Sequence, residues 1–472
     1  MTLLSRSLGL LALGYAMLLP ALAAPATSYL TSADQQYLLS SDWSWQQPVQ
    51  AGQAELRLNT VERFQSMEGF GYTLTGGSAI HLMQLSAERR AALLQELFGA
   101  EGLAVSYLRL SLGASDLDPK PFSYNDLPAG QTDPELKQFS IRADEQYLLP
   151  LLKQILAINP TIKLLASPWS PPVWMKSNQS TVGGELLEQY FPVYANYFVK
   201  YVQAMAAHGV RIDAVTVQNE PLHDGNNPSL LMHAWDQAKF VGRHLGPAFK
   251  AAGLDTKIII YDHNTDHVEY AITVLNDPVA KPFIDGSAFH LYGGEISNLA
   301  ELKAAHPDKH IYFTEQWVGG KSEFADNLLW HTEHLIIGAP ANWARNVLEW
   351  NLAADSEFKP YTAGGCSLCK GALTIDGDKV SRNVAYYIIG QASKVVPPGS
   401  VRIGSSLALA DMHQIAYLRP DGQVALLLLN RNADAQALNL TLDQQPLPYA
   451  VRVPAHSVLS LILPSVKTPA AH

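Results

Sequence analysis

The chain has 472 residues, 47% of them hydrophobic and 16% charged, with 9 Trp, 20 Tyr and 14 Phe. That balance belongs to a chain that buries a large core, and it excludes a disordered polymer. A formal charge of −10 excludes the basic footprint of a nucleic-acid binder or a polybasic membrane-surface protein. Two cysteines exclude a disulfide scaffold.

In chain order, the first segment reads as a leader. Up to Ala33 the only charge is Arg6; an apolar run from Leu8 to Leu19 follows, then Pro20-Ala21-Leu22-Ala23-Ala24. A basic start, a short apolar stretch and an Ala-x-Ala site make a signal peptide over 1–23. The run is too short, and too interrupted by Gly9 and Gly14, for a comfortable bilayer span. No later stretch reads as a transmembrane helix, so the expectation is a periplasmic or secreted protein with no integral membrane segment after cleavage.

From residue 63 to 396 short β-rich runs alternate with helical stretches. The predicted strands are Met67 to Leu74, Ser106 to Gly113, Lys163 to Ser170, Asp213 to Glu220, Lys257 to Asn264, Gly286 to Gly293, His310 to Val318 and Arg345 to Ala353. Helices are predicted over Ser86 to Phe98, Ala143 to Ile158, Leu187 to His208, His233 to Ala252 and Asn383 to Val395, two of them followed directly by glycine. Eight such strands with helices between them predict an α/β fold, a (β/α)8 barrel. An open doubly wound sheet is the alternative, and no Gly-x-Gly-x-x-Gly turn supports it. From 397 to 464 only short β-rich runs occur, with Pro420-Asp421-Gly422 as a hairpin signal. About 70 residues is small for a free-standing sandwich. The segment 24–62 is therefore expected to lend it strands, leaving 465–472 as a tail.

The predicted strands are apolar until their C-terminal ends, where a barrel builds its active site. Strand four ends at Asn219-Glu220-Pro221 and strand seven at Thr314-Glu315. Strands four and seven face each other across an eight-strand barrel, so the two carboxyls can flank a glycosidic bond, one as acid and one opposite it. Asn219 is placed to hydrogen-bond a sugar hydroxyl. Trp169, Tyr292, Trp317 and Trp350 supply aromatic surface for a pyranose, whereas Trp174 reads better as core. Arg109 inside a strand needs a partner, and a catalytic carboxylate is the simplest one. Asp116 is expected either to bind adjacent hydroxyls or to cap the next turn. His263 and His290 stand at strand ends. His263 with His267 raises a metal reading, but no third ligand spacing supports it; no metal and no cofactor are expected. Cys366 and Cys369 read as a local disulfide.

With these residues in place, the chain resembles glycoside hydrolase family 30, the family of lysosomal acid glucosylceramidase. The motifs are Glu68-Gly69-Phe70-Gly71, Arg109 with Ser115-Asp116, Ser167-Pro168-Trp169, Asn219-Glu220-Pro221, Phe313-Thr314-Glu315 and Trp350-Asn351-Leu352. The resemblance implies a barrel joined to a β-sandwich made from both termini, and a retaining mechanism without metal. It implies Glu220 as acid/base and Glu315 as nucleophile, with Asp116, Trp169, Asn219, Tyr292 and Trp350 on the sugar. The expected activity is a retaining β-glucoside hydrolase of glucosylceramidase type, with a carbohydrate or glycolipid substrate. The alternatives are a β-1,6-glucanase or β-xylosidase, and, outside enzymes, a glycan-binding protein. The charge of Glu315 is expected to raise the pKa of Glu220.

Overall fold

The computed structural model describes residues 27–464. The predicted leader and the predicted tail lie outside the described residues. Eight parallel strands close a barrel: Gly69–Leu74, Tyr107–Ser111, Lys163–Ser167, Ala214–Thr216, Lys257–Asn264, Ile284–His290, His310–Glu315 and Ala344–Asn351. Each falls in or within two residues of its predicted run. Gly71 shows why the first strand needs glycine: a Cβ there would lie 1.8 Å from the carbonyl oxygen of Tyr107.

Helix ends follow local chemistry. Ser86 caps Ala87–Phe98 by accepting from the amide of Arg89, and Thr75 caps Gly76–Gln84 by accepting from that of Ser78. The predicted helix over 233–252 is Ala234–Phe240 and Gly246–Ala251 joined by a wider turn at Val241–Leu245. Helices Val268–Asn276, Leu299–Ala305 and Phe324–His331 follow strands five, six and seven, where the sequence reading names none. Two of these have fewer than nine residues, too few turns for a period to stand out.

The barrel interior is stacked in layers. Tyr107, Leu165, Ala214, Ile259, Ala288, Tyr312 and Leu348, one from each of seven strands, form a closed apolar plug. Two residues further along, the side chain returns to the interior. Those positions are Arg109, Ser167, Thr216, His290, Thr314 and Trp350, all buried. A polar floor thus lies directly above an apolar plug, at the C-terminal end of the strands. Strand five breaks the rule. Tyr261 and Asp262 have positive φ values of 68° and 72°, and the pairing with strand six shifts between Tyr261 and His263. This bulge turns Tyr261 outward against Tyr270 and Phe289 and brings Asp262 into the floor.

The second unit is one continuous nine-stranded sheet wrapped around its own core. Thr27–Ser32 pairs antiparallel with Ser457–Leu463, and Ala54–Ser66 pairs with both Val401–Leu407 and Gln436–Leu442. Both ends of the described chain therefore build it. Val424–Asn430 is buried at all seven positions. Leu426 and Leu428 face the sandwich core, while Leu427 and Leu429 join the barrel's hydrophobic cluster. A strand covered on both faces reads as a continuous apolar run, here Val-Ala-Leu-Leu-Leu-Leu. Among the described residues no helix is long and apolar enough to cross a membrane.

Candidate active site

A cavity of about 350 Å³ opens at the C-terminal end of the barrel, lined by Asp116, Trp169, Asn219, Glu220, His263, Tyr292, Glu315, Trp317 and Trp350 among others. Of the sequence-predicted site residues, these nine line it directly, together with Cys366 and Cys369. Arg109 and His290 lie beneath, in the polar floor.

The floor is a network of charges. Arg109, with no exposed surface, donates through Nη2 to Asp262 Oδ2 at 2.8 Å and to Asn219 Oδ1 at 2.6 Å, through Nε to Ser167 at 3.0 Å, and through Nη1 to Glu315. Asp262 also accepts from Thr216 at 2.7 Å, Thr314 at 2.6 Å and Ser167 at 3.1 Å. Although burial opposes ionisation, the charge of Arg109 and the hydrogen bonds hold Asp262 far below the usual carboxylate range. The predicted pairing of Arg109 is found with Glu315, a candidate catalytic carboxylate, but Asp262 is its second and deeper partner. The sequence reading gives Asp262 no role. Alternation from Ile259 puts Tyr261, not Asp262, inside; only the bulge reverses this.

The imidazole of His290 bridges Glu220 Oε1 and Asp262 Oδ1, each at 3.1 Å, and lies 3.9 Å from Glu315 Oε1. Burial disfavours its cation, yet Glu315, Asp262 and Glu220 raise its pKa to about 9. This corrects the expectation for Glu220. Burial pushes its carboxyl up, but the hydrogen bond and charge of His290, aided by His263 and His223, hold it below its ordinary value. Burial instead pushes Glu315 up, with the charge of Glu220 adding to it against His290 and Arg109. Spacing along the chain shows two facing carboxyls; it does not show an imidazolium held against one of them.

Glu220 has φ of +44°, and its amide donates to the carbonyl of Asp262 at 2.9 Å. The bulge in strand five thus braces the strained end of strand four. Tyr292 donates its hydroxyl to Glu315 Oε1 at 2.9 Å. One oxygen of Glu220, one of Glu315 and one nitrogen of His290 all lie within 4.8 Å of one another. These three atoms are close enough for a cation, but both nitrogens of His290 already face carboxylates, which suits proton traffic better than ligation.

Other side chains refine the sequence reading. Trp169 and Trp350 stack on each other with centroids 5.4 Å apart, and the guanidinium of Arg109 lies 4.8 Å from the Trp169 centroid. At 1% and 4% exposure they form a tight floor of the cavity they line. The capping role considered for Asp116 belongs to Asp118, which accepts from the Ser115 amide at 2.8 Å. His263 stands 3.9 Å from Glu220 Oε1, and burial lowers its pKa to about 4. His267 is turned away and pairs with Glu269 at 2.8 Å. Trp174 is buried and donates to the Asn125 carbonyl at 3.0 Å, as core. Cys366 and Cys369 are disulfide-bonded. The sequence reading passes over His223 and gives Asn226 no site role, yet both line the cavity. The loop after Pro221 brings them there, and no strand period marks it.

A raised histidine pKa contributes stability that is fully present below its unfolded pKa of ~6.5 and lost as pH rises through about 9. The unfolding free-energy difference between wild type and His290→Asn is expected to shrink by on the order of 3 kcal/mol between pH 6 and pH 9.5. Urea unfolding at both pH values measures it, and a difference independent of pH would contradict a charged His290.

The family model described as the glycosyl hydrolase family 30 TIM-barrel domain matches residues 67–395, and that of the family 30 beta sandwich domain matches 399–461. An endo-1,6-β-D-glucanase of Aspergillus fumigatus is 31% identical over 94% of this chain and 95% of its own. Mouse lysosomal acid glucosylceramidase is 28% identical over 82% of this chain and 79% of its own. Among solved structures, the endo-β1,6-glucanase BT3312 superposes with a TM-score of 0.88 at 35% identity, covering 93% of this chain and 99% of that one.

Proposed function

This chain belongs to glycosyl hydrolase family 30 and is an O-glycosyl hydrolase, and we propose that its substrate is a β-1,6-linked glucan, cleaved with retention of configuration. The single observation that carries the mechanism is the approach of Glu220 and Glu315 oxygens to within 4.8 Å across the cavity. Retaining enzymes hold their carboxyls about 5–5.5 Å apart, inverting enzymes about 6.5–9.5 Å. The substrate follows the relatives: endo-1,6-β-glucanases match at 31% and 35% identity, against 28% for the glucosylceramidase. The glucosylceramide reading expected from sequence gives way to its alternative. The expectation of an exported protein fits a polymeric substrate.

Glu315 is positioned to attack the anomeric carbon, its two oxygens oriented by Arg109 and Tyr292. The glycosidic bond breaks as Glu220 delivers a proton to the departing O6. The imidazolium of His290 touches Glu220 Oε1 and is the proton's source, leaving a neutral imidazole beside the Glu220 carboxylate. Loss of the Glu315 charge as the ester forms weakens the hold on the histidine's proton and so favours this transfer, after which the Glu220 carboxylate takes up its second task. Water then attacks the anomeric carbon, Glu220 accepts its proton, and Glu315 is released. Asn219 accepts from Arg109 through its carbonyl, which leaves its amide to donate to a sugar hydroxyl.

The test is hydrolysis of β-1,6-linked gluco-oligosaccharides beside glucosylceramide, with the anomer formed first followed by proton NMR. The expected result is cleavage of the oligosaccharides with initial release of the β-anomer. Initial α-anomer would overturn retention, and turnover of the lipid alone would restore the glucosylceramidase reading.

A further inference from the structure

One side of the cavity is closed by an irregular loop beyond strand eight, and this loop holds the two cysteines. At one end it grips Asp116. The Cys366 amide donates to Asp116 Oδ2 at 3.1 Å, and the Thr362 amide donates to the Asp116 carbonyl at 2.8 Å. The fit is so close that a Cβ on Gly365 would lie 2.6 Å from that carbonyl oxygen. At the other end the loop grips the segment just past Glu315. Cys369 and Lys370 pair antiparallel with Gly319 and Val318, and the Gly320 amide donates to the Leu368 carbonyl at 2.7 Å. Cys369 is buried with Leu117, Trp169 and Trp350, and Trp317 and Cys366 pack against them. The disulfide therefore ties the Asp116 side of the pocket to the Glu315 side within four residues.

We infer that the Cys366–Cys369 ring is a positioning element for substrate binding, holding the Cys366 amide on the Asp116 carboxylate so that this carboxylate faces the sugar. The inference rests on the glycosidase reading in one respect: Asp116 must meet a sugar hydroxyl. Gly364 and Gly365 stand immediately before the ring, and Gly364 has φ of +90°. Glycines lose more conformational freedom on ordering than any other residue, so this stretch disfavours its own observed conformation. A covalent closure at residue 366 offsets that loss where the amide must stay put. The grip matters because Asp116 is an awkward carboxylate to keep. Burial pushes it up to about 7 and the charges of Glu315 and Glu220 push the same way, while the Cys366 amide and Asn226 pull it back. Without the amide, the carboxyl loses a donor that favours its charged form, the better acceptor for sugar hydroxyls.

The test is a double-mutant cycle on the full chain: wild type, Cys366→Ser/Cys369→Ser, Asp116→Ala, and the combination. Rates are read on a β-1,6-linked gluco-oligosaccharide and an aryl β-glucoside, with circular dichroism confirming the fold. An interaction present in ground and transition state alike appears in KM. The serine pair is expected to raise KM about tenfold with kcat within about twofold of wild type. In the Asp116→Ala background the same replacement is expected to change kcat/KM by less than about twofold, because the acceptor of the Cys366 amide is gone. Equal losses in both backgrounds, or a fall in kcat at unchanged KM, would overturn the inference. Hydrogen exchange provides the arm that needs no turnover: amides of residues 114–118 and 362–366 are expected to exchange faster in the serine pair. If wild type cleaves neither substrate, the glycosidase reading fails, while exchange still decides whether the ring holds Asp116; unchanged exchange would overturn that hold.

Discussion

Glu315→Ala is expected to lower kcat by on the order of 10⁴–10⁶-fold, because it removes the proposed nucleophile. Glu220→Ala is expected to cost less, about 10²–10⁴-fold, the usual range for a general acid/base. Azide separates the two roles by stereochemistry. In Glu315→Ala it replaces the missing nucleophile and attacks a β-glucoside once, giving the α-glucosyl azide. In Glu220→Ala, assayed on an aryl glucoside whose leaving group needs no proton, azide intercepts the ester at Glu315 and gives the β-glucosyl azide. Exchange of these products between the variants would swap the two roles. Wild-type rates in both would remove the pair from the mechanism altogether.

Arg109→Leu is expected to lower stability by about 3–5 kcal/mol, the usual effect of removing one member of a buried ion pair. Its partners Asp262 and Glu315 are themselves buried, so the lost cation leaves two carboxylates with only His290 to compensate them. The guanidinium also covers the face of Trp169, and leucine does not restore that contact. Urea unfolding is the measurement, with Arg109→Leu/Asp262→Asn beside the single variant. The second substitution removes one of the stranded charges and is expected to recover part of the loss. An unchanged midpoint in Arg109→Leu would mean that the network contributes nothing to folding. Activity is expected to fall as well, since Glu315 loses the donor that orients one of its oxygens.

How far the sequence reaches follows from how local each signal is. The eight barrel strands were legible because each is a short apolar run bounded by polar residues. The two glutamates were legible because a parallel barrel brings every strand end to one face. Cys366 and Cys369 were legible because three residues of separation allow their pairing to be considered without the fold. Tertiary structure alone decided the rest. Asp262 enters the site because two left-handed residues break the alternation of strand five, and that break is set by pairing with strand six and by the Glu220 amide. The acid–base balance of Glu220 reverses because His290, seventy residues away in sequence, lies 3.1 Å away in space. Trp169 and Trp350 close the cavity floor because they meet each other over Arg109. Hydrophobic pattern and turn chemistry act over a few residues and so can be read from the chain. Electrostatics and bulges depend on which strands become neighbours, and in this protein they set the charge on the candidate catalytic groups.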